Sequence, residues 1–395
     1  MKLIHKAYRF RLKVTPEQEA LMAQYVGVCR LIWNLCLEQR MLIYNSSKKS
    51  TWGDQQDVEI TQLRKEYDFI RQAPSQVLQS VTDNLDKAYK GFFKGNTDFP
   101  IYKKKNKSRK SFRYPQGFKI DNRRIFLPKL GWMGFFKSQP IVGKMCHVTV
   151  SKHGNYWYAS ICCEVLIEDQ PCADTSIGGD MGVEKLCALS DGTIIENPCS
   201  LKRSMKRLAN MQRQLSRKMK GGMNYIKLKI KIAILHARIA DIRGDNINKS
   251  TTIIANSHVM VVLEDLKIKA MSKSAKGTVD QPGKKVKQKS GLNRGILDAG
   301  WGEFRRQTGY KLDWRNGILV LVDPKNTSRK CSACGHTAKE NRLTQASFVC
   351  VKCGYKSDAD VNAAVNIQRA GHARLACESS GAVIPPEAGT LELAA

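Results

Sequence analysis

Apolar and polar residues alternate at the start of the chain. Over residues 3–12, Tyr8, Phe10 and Leu12 share one face and Arg9 and Arg11 the other, which predicts a half-buried strand. Thr15-Pro16-Glu17-Gln18 then carries a helix start, with Thr15 as N-cap, Pro16 at the first helical position and Gln18 three residues after the cap. From there to about Phe93 the apolar period is helical. Leu21, Tyr25, Val28, Leu31, Ile32 and Leu35 form one stripe, and Val77, Val81, Leu85, Ala88, Tyr89 and Phe92 another. The pattern predicts an all-α module with Arg30, Trp33 and Asn34 on one turn and a polar loop over 45–51. Strand-like runs return at 124–127, 148–151 and 156–163, the last two joined by a short His153-Gly154-Asn155 turn. A small β-barrel is expected, with residues 16–93 inserted after its first strand.

The second half alternates strands with helices. Residues 176–182 and 186–190 read as strands, and Asp191-Gly192 turns the chain into 193–195. Leu201, Met205, Leu208, Met211, Leu215 and Met219 form an apolar stripe, Gly221-Gly222 breaks it, and Ile226, Ile230, Ile234 and Ile242 form a second. These are two amphipathic helices. The run 253–263 contains a strand ending at Glu264. Asp298-Ala299-Gly300-Trp301 is expected to start another helix, which gives Phe304, Tyr310, Leu312 and Trp314 to the core, and 318–322 reads as a buried strand. Residues 267–290 hold eight lysines and one aspartate without an apolar period, so a mobile basic loop is expected there. A disordered tail rich in Ala, Gly, Ser and Pro is expected from about 373.

Charge changes the picture most. The 395 residues carry a formal net charge of +31 and a pI near 9.7, which repels itself unless a polyanion is at hand. Nucleic acid is the first partner to expect, and an anionic membrane surface the weaker one. The surplus is concentrated. Residues 201–250 hold 14 basic residues against 2 acids, so the outer helix faces, with Lys202, Arg203 and Arg207, point to phosphate rather than to solvent alone. Seven basic residues and no acid lie between Lys103 and Arg113, flanked by Tyr102, Phe112 and Tyr114. Tyr102, Lys103, Lys104, Lys105 and Arg113 thus suit a surface that tracks a backbone and stacks bases, against the plainer reading of a solvated basic loop. No run of eighteen apolar residues occurs, and Met1-Lys2-Leu3-Ile4-His5-Lys6-Ala7 lacks a signal peptide's apolar core, so an intracellular protein without a membrane span is expected. Thirteen cysteines in a reducing compartment are not a disulfide framework, and those outside the cluster below, such as Cys162 and Cys163, read as small buried hydrophobes.

Two groups of residues carry chemistry. Cys331 and Cys334, then Cys350 and Cys353, repeat C-x2-C across fifteen residues, with Gly335 and Gly354 after each second cysteine. Two such knuckles present four thiolates for tetrahedral Zn2+, with no open position, so the metal is structural. The second group is a carboxylate recurring at element ends: Asp180 in a strand otherwise short of charge, Glu264 after five apolar residues, and Asp360 at a helix start. Taken singly, each is more often a cap or a surface charge. Jointly, strand, strand edge and helix start are how an RNase H-like sheet assembles its acids. Three converging carboxylates repel unless cations sit between them, and hard oxygen ligands favour Mg2+ or Mn2+. Two such ions suit phosphodiester cleavage. Asp265 and Asp358 are neighbouring acids that spacing does not rule out. Neither a Gly-x-Ser-x-Gly elbow nor a Walker loop is present.

Over residues 1–370 the chain resembles TnpB, the RNA-guided nuclease of small bacterial insertion sequences and a relative of type V CRISPR effectors. The resemblance rests on Gly179-Asp180-Met181-Gly182-Val183, Ala188-Leu189-Ser190-Asp191-Gly192, Glu264-Asp265-Leu266, Asp298-Ala299-Gly300-Trp301-Gly302-Glu303-Phe304, the four cysteines, and Asp360-Val361-Asn362-Ala363-Ala364-Val365-Asn366-Ile367. Weaker matches are Pro74-Ser75-Gln76, Ala88-Tyr89-Lys90-Gly91-Phe92-Phe93, Phe99-Pro100 and Leu127-Pro128-Lys129-Leu130-Gly131. The resemblance implies a multidomain α+β chain: a wedge β-barrel (1–14 and 99–172) with an inserted helical recognition module (15–98), an RNase H-like (RuvC) α/β nuclease domain (173–325, with a basic loop 267–296), a four-cysteine zinc ribbon (326–356), the final RuvC helix (357–372) and the tail 373–395. It implies that Asp180, Glu264 and Asp360 are the catalytic acids, selected over Asp265 and Asp358. It further implies a guide RNA from the element's end, double-stranded target DNA, a short flanking motif read by the protein, a monomer within the ribonucleoprotein, and a prokaryotic cytoplasm, at the nucleoid. Ser75, Gln76 and Gln79 are candidates for reading the motif, since Gln pairs bidentately with adenine. Gly179 stands where relatives usually carry Ile or Val, and Ala359 where Arg is common. Other readings are a transposase joining strands with the same acids, and an RNA-guided repressor that binds without cutting.

Overall fold

The computed structural model describes residues 2–105, 107–167 and 175–379, in two compact units divided after Ile167. In the first, β1 (Lys2–Lys13) is followed by α1 (Pro16–Ser47), α2 (Gly53–Glu66), α3 (Asp68–Arg71) and α4 (Ser75–Phe93). Then come β2 (Ser111–Tyr114), β3 (Lys119–Asp121), β4 (Arg124–Leu127), β5 (Gly131–Phe135), β6 (Lys144–His153) and β7 (Tyr156–Ile167). The seven strands run β2-β6-β7-β1-β5-β4-β3, every pair antiparallel. The strand order is open-ended, with β2 and β3 at its two edges. The helices enter after the first strand, as the period change predicts. Thr15 closes a capping box: its hydroxyl accepts from the Gln18 N–H, and the Gln18 side chain accepts from the Thr15 N–H.

Tyr8, Phe10 and Leu12 enter one core with Tyr25, Ile32 and Leu37 of α1, Val77, Leu78 and Leu85 of α4, and Trp157 of β7. By length and composition α1 would fit a bilayer, but its inner face is this core, and Arg40 is buried in it on Gln56 and Asp86. α1 is therefore a core helix. Trp33 and Asn34 clamp the following segment, Trp33 donating to the Ile101 carbonyl and Asn34 bonding both backbone groups of Lys103.

The second unit holds β8 (Ser176–Asp180), β9 (Lys185–Leu189), β10 (Ile194–Glu196), α5 (Ser200–Ser216), α6 (Met223–Ser257), β11 (Met260–Glu264), α7 (Ile268–Met271), α8 (Val286–Ala299), α9 (Trp301–Asp313) and β12 (Ile318–Val322). A two-stranded ribbon, β13 (Ser347–Val349) and β14 (Lys356–Asp358), leads into α10 (Ala359–Ser379). The main sheet is ordered β10-β9-β8-β11-β12, with β8, β11 and β12 parallel and β9 antiparallel to β8. Alternation sorts its two faces. Val261 and Leu263 join Ile254 of α6, Ile296 of α8 and Phe304 of α9 on one side, while Met260, Val262, Val320 and Val322 meet Ile367 of α10 on the other.

Gly178 lets α10 lie directly on the sheet. A Cβ there would stand 2.1 Å from the Ala364 carbonyl oxygen and 2.7 Å from the Gln368 nitrogen, both backbone atoms that cannot swing aside. Gly178→Ala is expected to cost at least about 3 kcal/mol, or about 6–12 °C in Tm. Gly244→Ala, in open space within α6, is expected to leave Tm unchanged or raised. Thermal melts of the two variants check the contrast.

The structure differs from four expectations. The segment 267–296 is not one loop: α7 and most of α8 lie in it, tied together by Lys289 donating to the Met271 carbonyl and Asn293 to those of Ser272 and Lys273. Asp298 ends a helix rather than starting one. Gly300, at φ 73°, closes α8, and the buried Asp298 carboxylate accepts the Leu201 and Lys202 N–H groups, capping α5 from about a hundred residues away. The expected tail at 373 is still helix as far as Ser379, where Arg374 donates to the Leu321 carbonyl; its remainder, from 380, lies outside the described residues. Cys163 is buried as expected, but Cys162 is only half-buried on the opposite face of β7.

Candidate active site

Asp180 is the last residue of β8 and Glu264 the last of β11. The parallel register Gly179–Leu263 brings the two strand ends side by side, and alternation turns both acids to the face that α10 covers. Asp360 sits in the first turn of α10. Burial first, then the negative charges of Glu264 and Asp360, push the Asp180 carboxyl up to about 7, with Arg342 pulling the other way. Glu264 is buried and raised by burial, with Asp323 adding and a Thr327 hydrogen bond opposing. The acids are not drawn as tight as a single-ion cluster: their oxygens do not all fall within 4.8 Å of one another.

The alternative acids have partners of their own. One Asp358 oxygen caps α10, accepting the Asp360 and Val361 N–H groups, and the other meets Lys185 at 3.1 Å. Asp265 faces Lys267 and Arg305, which hold its carboxyl below the usual range against the burial that raises it. Three residues that spacing gave no reason to choose complete the site. Thr327 donates to Glu264 at 2.6 Å, Arg342 donates to Asp360 at 3.0 Å, and the Lys185 ammonium stands 3.5 Å from the second Asp360 oxygen.

The four thiols of Cys331, Cys334, Cys350 and Cys353 all lie within 4.8 Å of one another. Sγ–Sγ distances are 3.7 Å for Cys331–Cys353 and 3.6 Å for Cys334–Cys350. A Zn–S bond of about 2.3 Å gives tetrahedral sulfur separations of about 3.8 Å, so the cluster has the dimensions of a zinc site. Each knuckle closes the same way: Gly335 N–H donates to the Cys331 carbonyl, Gly354 N–H to that of Cys350, and both glycines take positive φ. Although burial opposes it, backbone N–H groups of Cys353 and Lys352 and the neighbouring thiols draw the Cys350 thiol down to about 6. The knuckles are wired to α10. Asn362 accepts from the Ser332 N–H and donates to the Lys330 carbonyl, and Asn366 donates to the Thr327 and Lys330 carbonyls.

Three family models match parts of the chain. Residues 160–275 match the IS605 OrfB family model described as "Probable transposase", residues 1–49 its "Helix-turn-helix domain", and residues 301–367 the "Cas12f1-like, TNB domain". The "Putative RNA-guided DNA endonuclease InsQ" of Escherichia coli (strain K12) is 46% identical over 377 residues, 94% of each chain. The chain belongs to the TnpB family of IS605-type elements. A TnpB relative from Streptomyces pristinaespiralis, also named for RNA-guided DNA endonuclease activity, is 33% identical over 95% of this chain and 92% of its own. Among solved structures, a Cas12f1 chain in complex with single guide RNA and target DNA superposes with TM-score 0.59 over 93% of this chain and 99% of its own, at 15% identity, a likeness of fold. In this family member, residues 2–47 are a strand and one long helix rather than a helix-turn-helix.

The two departures from the family pattern have physical settings. A Cβ on Gly179 would come within 2.8 Å of Cys187 Sγ and 2.9 Å of Leu263 Cδ2, so these side chains fill the room a branched residue would take, and β8 stays paired on both sides. Ala359 is fully buried with Cys331, Phe348 and Cys350, a place without space for Arg.

The nucleic-acid candidates divide. Ser75 and Gln79 are exposed at the start of α4 and Gln76 is half-buried; Tyr102, Lys104, Lys105, Lys202, Arg203 and Arg207 are exposed. Lys103 turns inward, its ammonium 3.5 Å from the Trp33 ring centre and lowered to about 8 by burial. Arg113 is half-buried in β2.

Proposed function

We propose that this chain is an RNA-guided, Mg2+-dependent DNA endonuclease of a transposable element, with a RuvC-type centre built by Asp180, Glu264 and Asp360. The observation that carries the reading is the meeting of two carboxylates at neighbouring parallel strand ends with a third in the first turn of the helix lying across them. The donor set fits Mg2+ or Mn2+: the oxygens are hard, and they lie near enough that the charges of Glu264 and Asp360 raise the Asp180 carboxyl. Bound there, the metal supplies an activated water and a counter-charge for the leaving oxygen.

The chain's own groups orient that site. Thr327 fixes one Glu264 oxygen, and the other has no hydrogen-bond or ion-pair partner among the described residues. Arg342 and Lys185 hold Asp360 between them and temper its charge until cations compete for it. Four thiolates satisfy zinc completely, so the ribbon is structural, and Asn362 and Asn366 pass its position on to α10. Lys202, Arg203 and Arg207 on α5, with Lys104 and Lys105, face the phosphates of guide RNA and target DNA, while Ser75, Gln76 and Gln79 meet base edges of the flanking motif beside the cut.

Thr327→Val is expected to lower the cleavage rate about 10-fold and raise the Mg2+ needed for half-maximal rate, with DNA binding unchanged; Thr327→Ser should restore both. A loss explained by weaker DNA binding would remove Thr327 from the site.

The whole reading is tested by purifying the protein from cells that carry the element and sequencing the bound RNA. One species ending in a variable segment is expected, and exchanging that segment should move linear double-strand breaks to the new matching site. Joined DNA products would assign strand transfer instead, and guide-directed binding without breaks in Mg2+ would assign a repressor.

A further inference from the structure

In the first unit, His5 on β1 pairs directly across from Glu164 on β7, and Lys144 of β6 pairs with Glu164 from the other side. Between Met145 and His147 the β6–β7 register slips: Met145 opposes Cys163, His147 opposes Cys162, and Cys146 is the extra residue. A bulge of this kind re-aims the inserted side chain. It places the Cys146 thiol beside His5 and Glu164, with sulfur, imidazole nitrogen and carboxylate oxygen all within 4.8 Å of one another. This is the solvent face of the sheet, since the neighbours Ile4 and Cys163 point into the core. His5 is exposed and the other two are half-buried. Among the described residues, neither the His5 ring nor the Glu164 carboxylate has a hydrogen-bond or ion-pair partner, and the Cys146 thiol has only a 3.5 Å contact to the Lys144 carbonyl.

One thiolate, one imidazole and one carboxylate, convergent and bound to no other side chain among the described residues, are a ligand set that zinc accepts, and three protein ligands leave a fourth position for water. We propose that His5, Cys146 and Glu164 bind a Zn2+ ion that pins β6, β7 and β1 together where the bulge interrupts their pairing. The ion would bridge the three strands at the one position where Cys146 has no partner in the ladder, and would couple the start of the chain to the end of β7, where this unit closes.

The test compares zinc content in the full chain with its bound RNA, dialysed against zinc-free buffer, for wild type, Cys146→Ser and His5→Gln. Each variant is expected to carry one zinc fewer per chain than wild type, and this difference is read independently of whether the four-cysteine cluster is filled. Adding Zn2+ should raise the Tm of dialysed or chelator-stripped wild type at a transition that does not respond in either variant. Substituted Co2+ should show a thiolate charge-transfer contribution that Cys146→Ser removes. Should Cys146→Ser fold poorly, His5→Gln keeps the comparison, because His5 is on the surface. Equal zinc content in all three proteins, or zinc held by wild type only in millimolar excess, would overturn the proposal.

Discussion

Asp180→Asn is expected to abolish DNA cleavage, by about 10^3-fold or more, while making the metal-free protein more stable. Loss on this scale follows from removing a ligand of the metal that would stabilise transition-state charge. The gain follows from electrostatics. Asp180 is pushed up to about 7 by burial and by Glu264 and Asp360, against an ordinary value of 3.8. A carboxyl raised in the folded state binds its proton more tightly there than in the unfolded chain, so metal-free protein loses stability as pH climbs from about 4 to about 7 and recovers none above it. The asparagine removes that cost. Its Tm at pH 7.5 without metal should exceed wild type by about 2–4 °C or more, and the gap should close at pH 4. Guide RNA and target DNA should bind as in wild type. A variant that lost both cleavage and Tm would mark Asp180 as a packing residue instead.

Cys350→Ser, or zinc removal by a strong chelator, is expected to cost at least about 100-fold in cleavage although no cysteine belongs to the acid site. Structural zinc in small domains contributes about 10–16 kcal/mol of apparent binding energy, far beyond what a short two-stranded ribbon gains from its own core. Without it the knuckles should unfold, and with them would go the Lys330 and Ser332 partners of Asn362, the Thr327 bond to Glu264 and the Arg342 bond to Asp360. Two of the three acids thus lose their supports together. Zn2+ returned to chelated wild type should restore cutting, and the same addition to Cys350→Ser should not. Full activity in the serine variant would detach the ribbon from the acids.

Much of this was legible in local pattern. Alternation gave β1, the Thr15-to-Gln18 signature gave the start of α1, and the thiol spacing gave the four-sulfur cluster, because each is set by neighbours within a few residues. What escaped depends on distant contacts. Asp298 has the residue type of a helix start, yet it ends α8 and caps α5 across the fold, a pairing no local window contains. Lysines at the start of α8 hid its helix, since long side chains with charged ends can cover a helix whose inner face is a few residues such as Ile296 and Ala299. Lys103 looked like part of a phosphate-facing run but is turned onto Trp33. Among the acids, spacing could not separate Glu264 from Asp265. In the sheet the two differ by parity: Glu264, at the end of β11, turns to the α10 face, and Asp265 turns to Arg305. Thr327, Lys185 and Arg342 left no signal, being polar residues in loops and strand ends whose meaning comes from the acids they touch.

Whether Asp180, Glu264 and Asp360 act as one metal-dependent centre is decided by initial cleavage rates of the reconstituted complex in Mg2+ for Asp180→Ala, Glu264→Gln, Asp360→Asn and the triple variant, with RNA and DNA binding measured alongside. Groups that act as a unit are not additive. Each single variant should therefore fall to the background rate of the triple while binding is retained; any one of the three cutting near the wild-type rate would contradict the assignment.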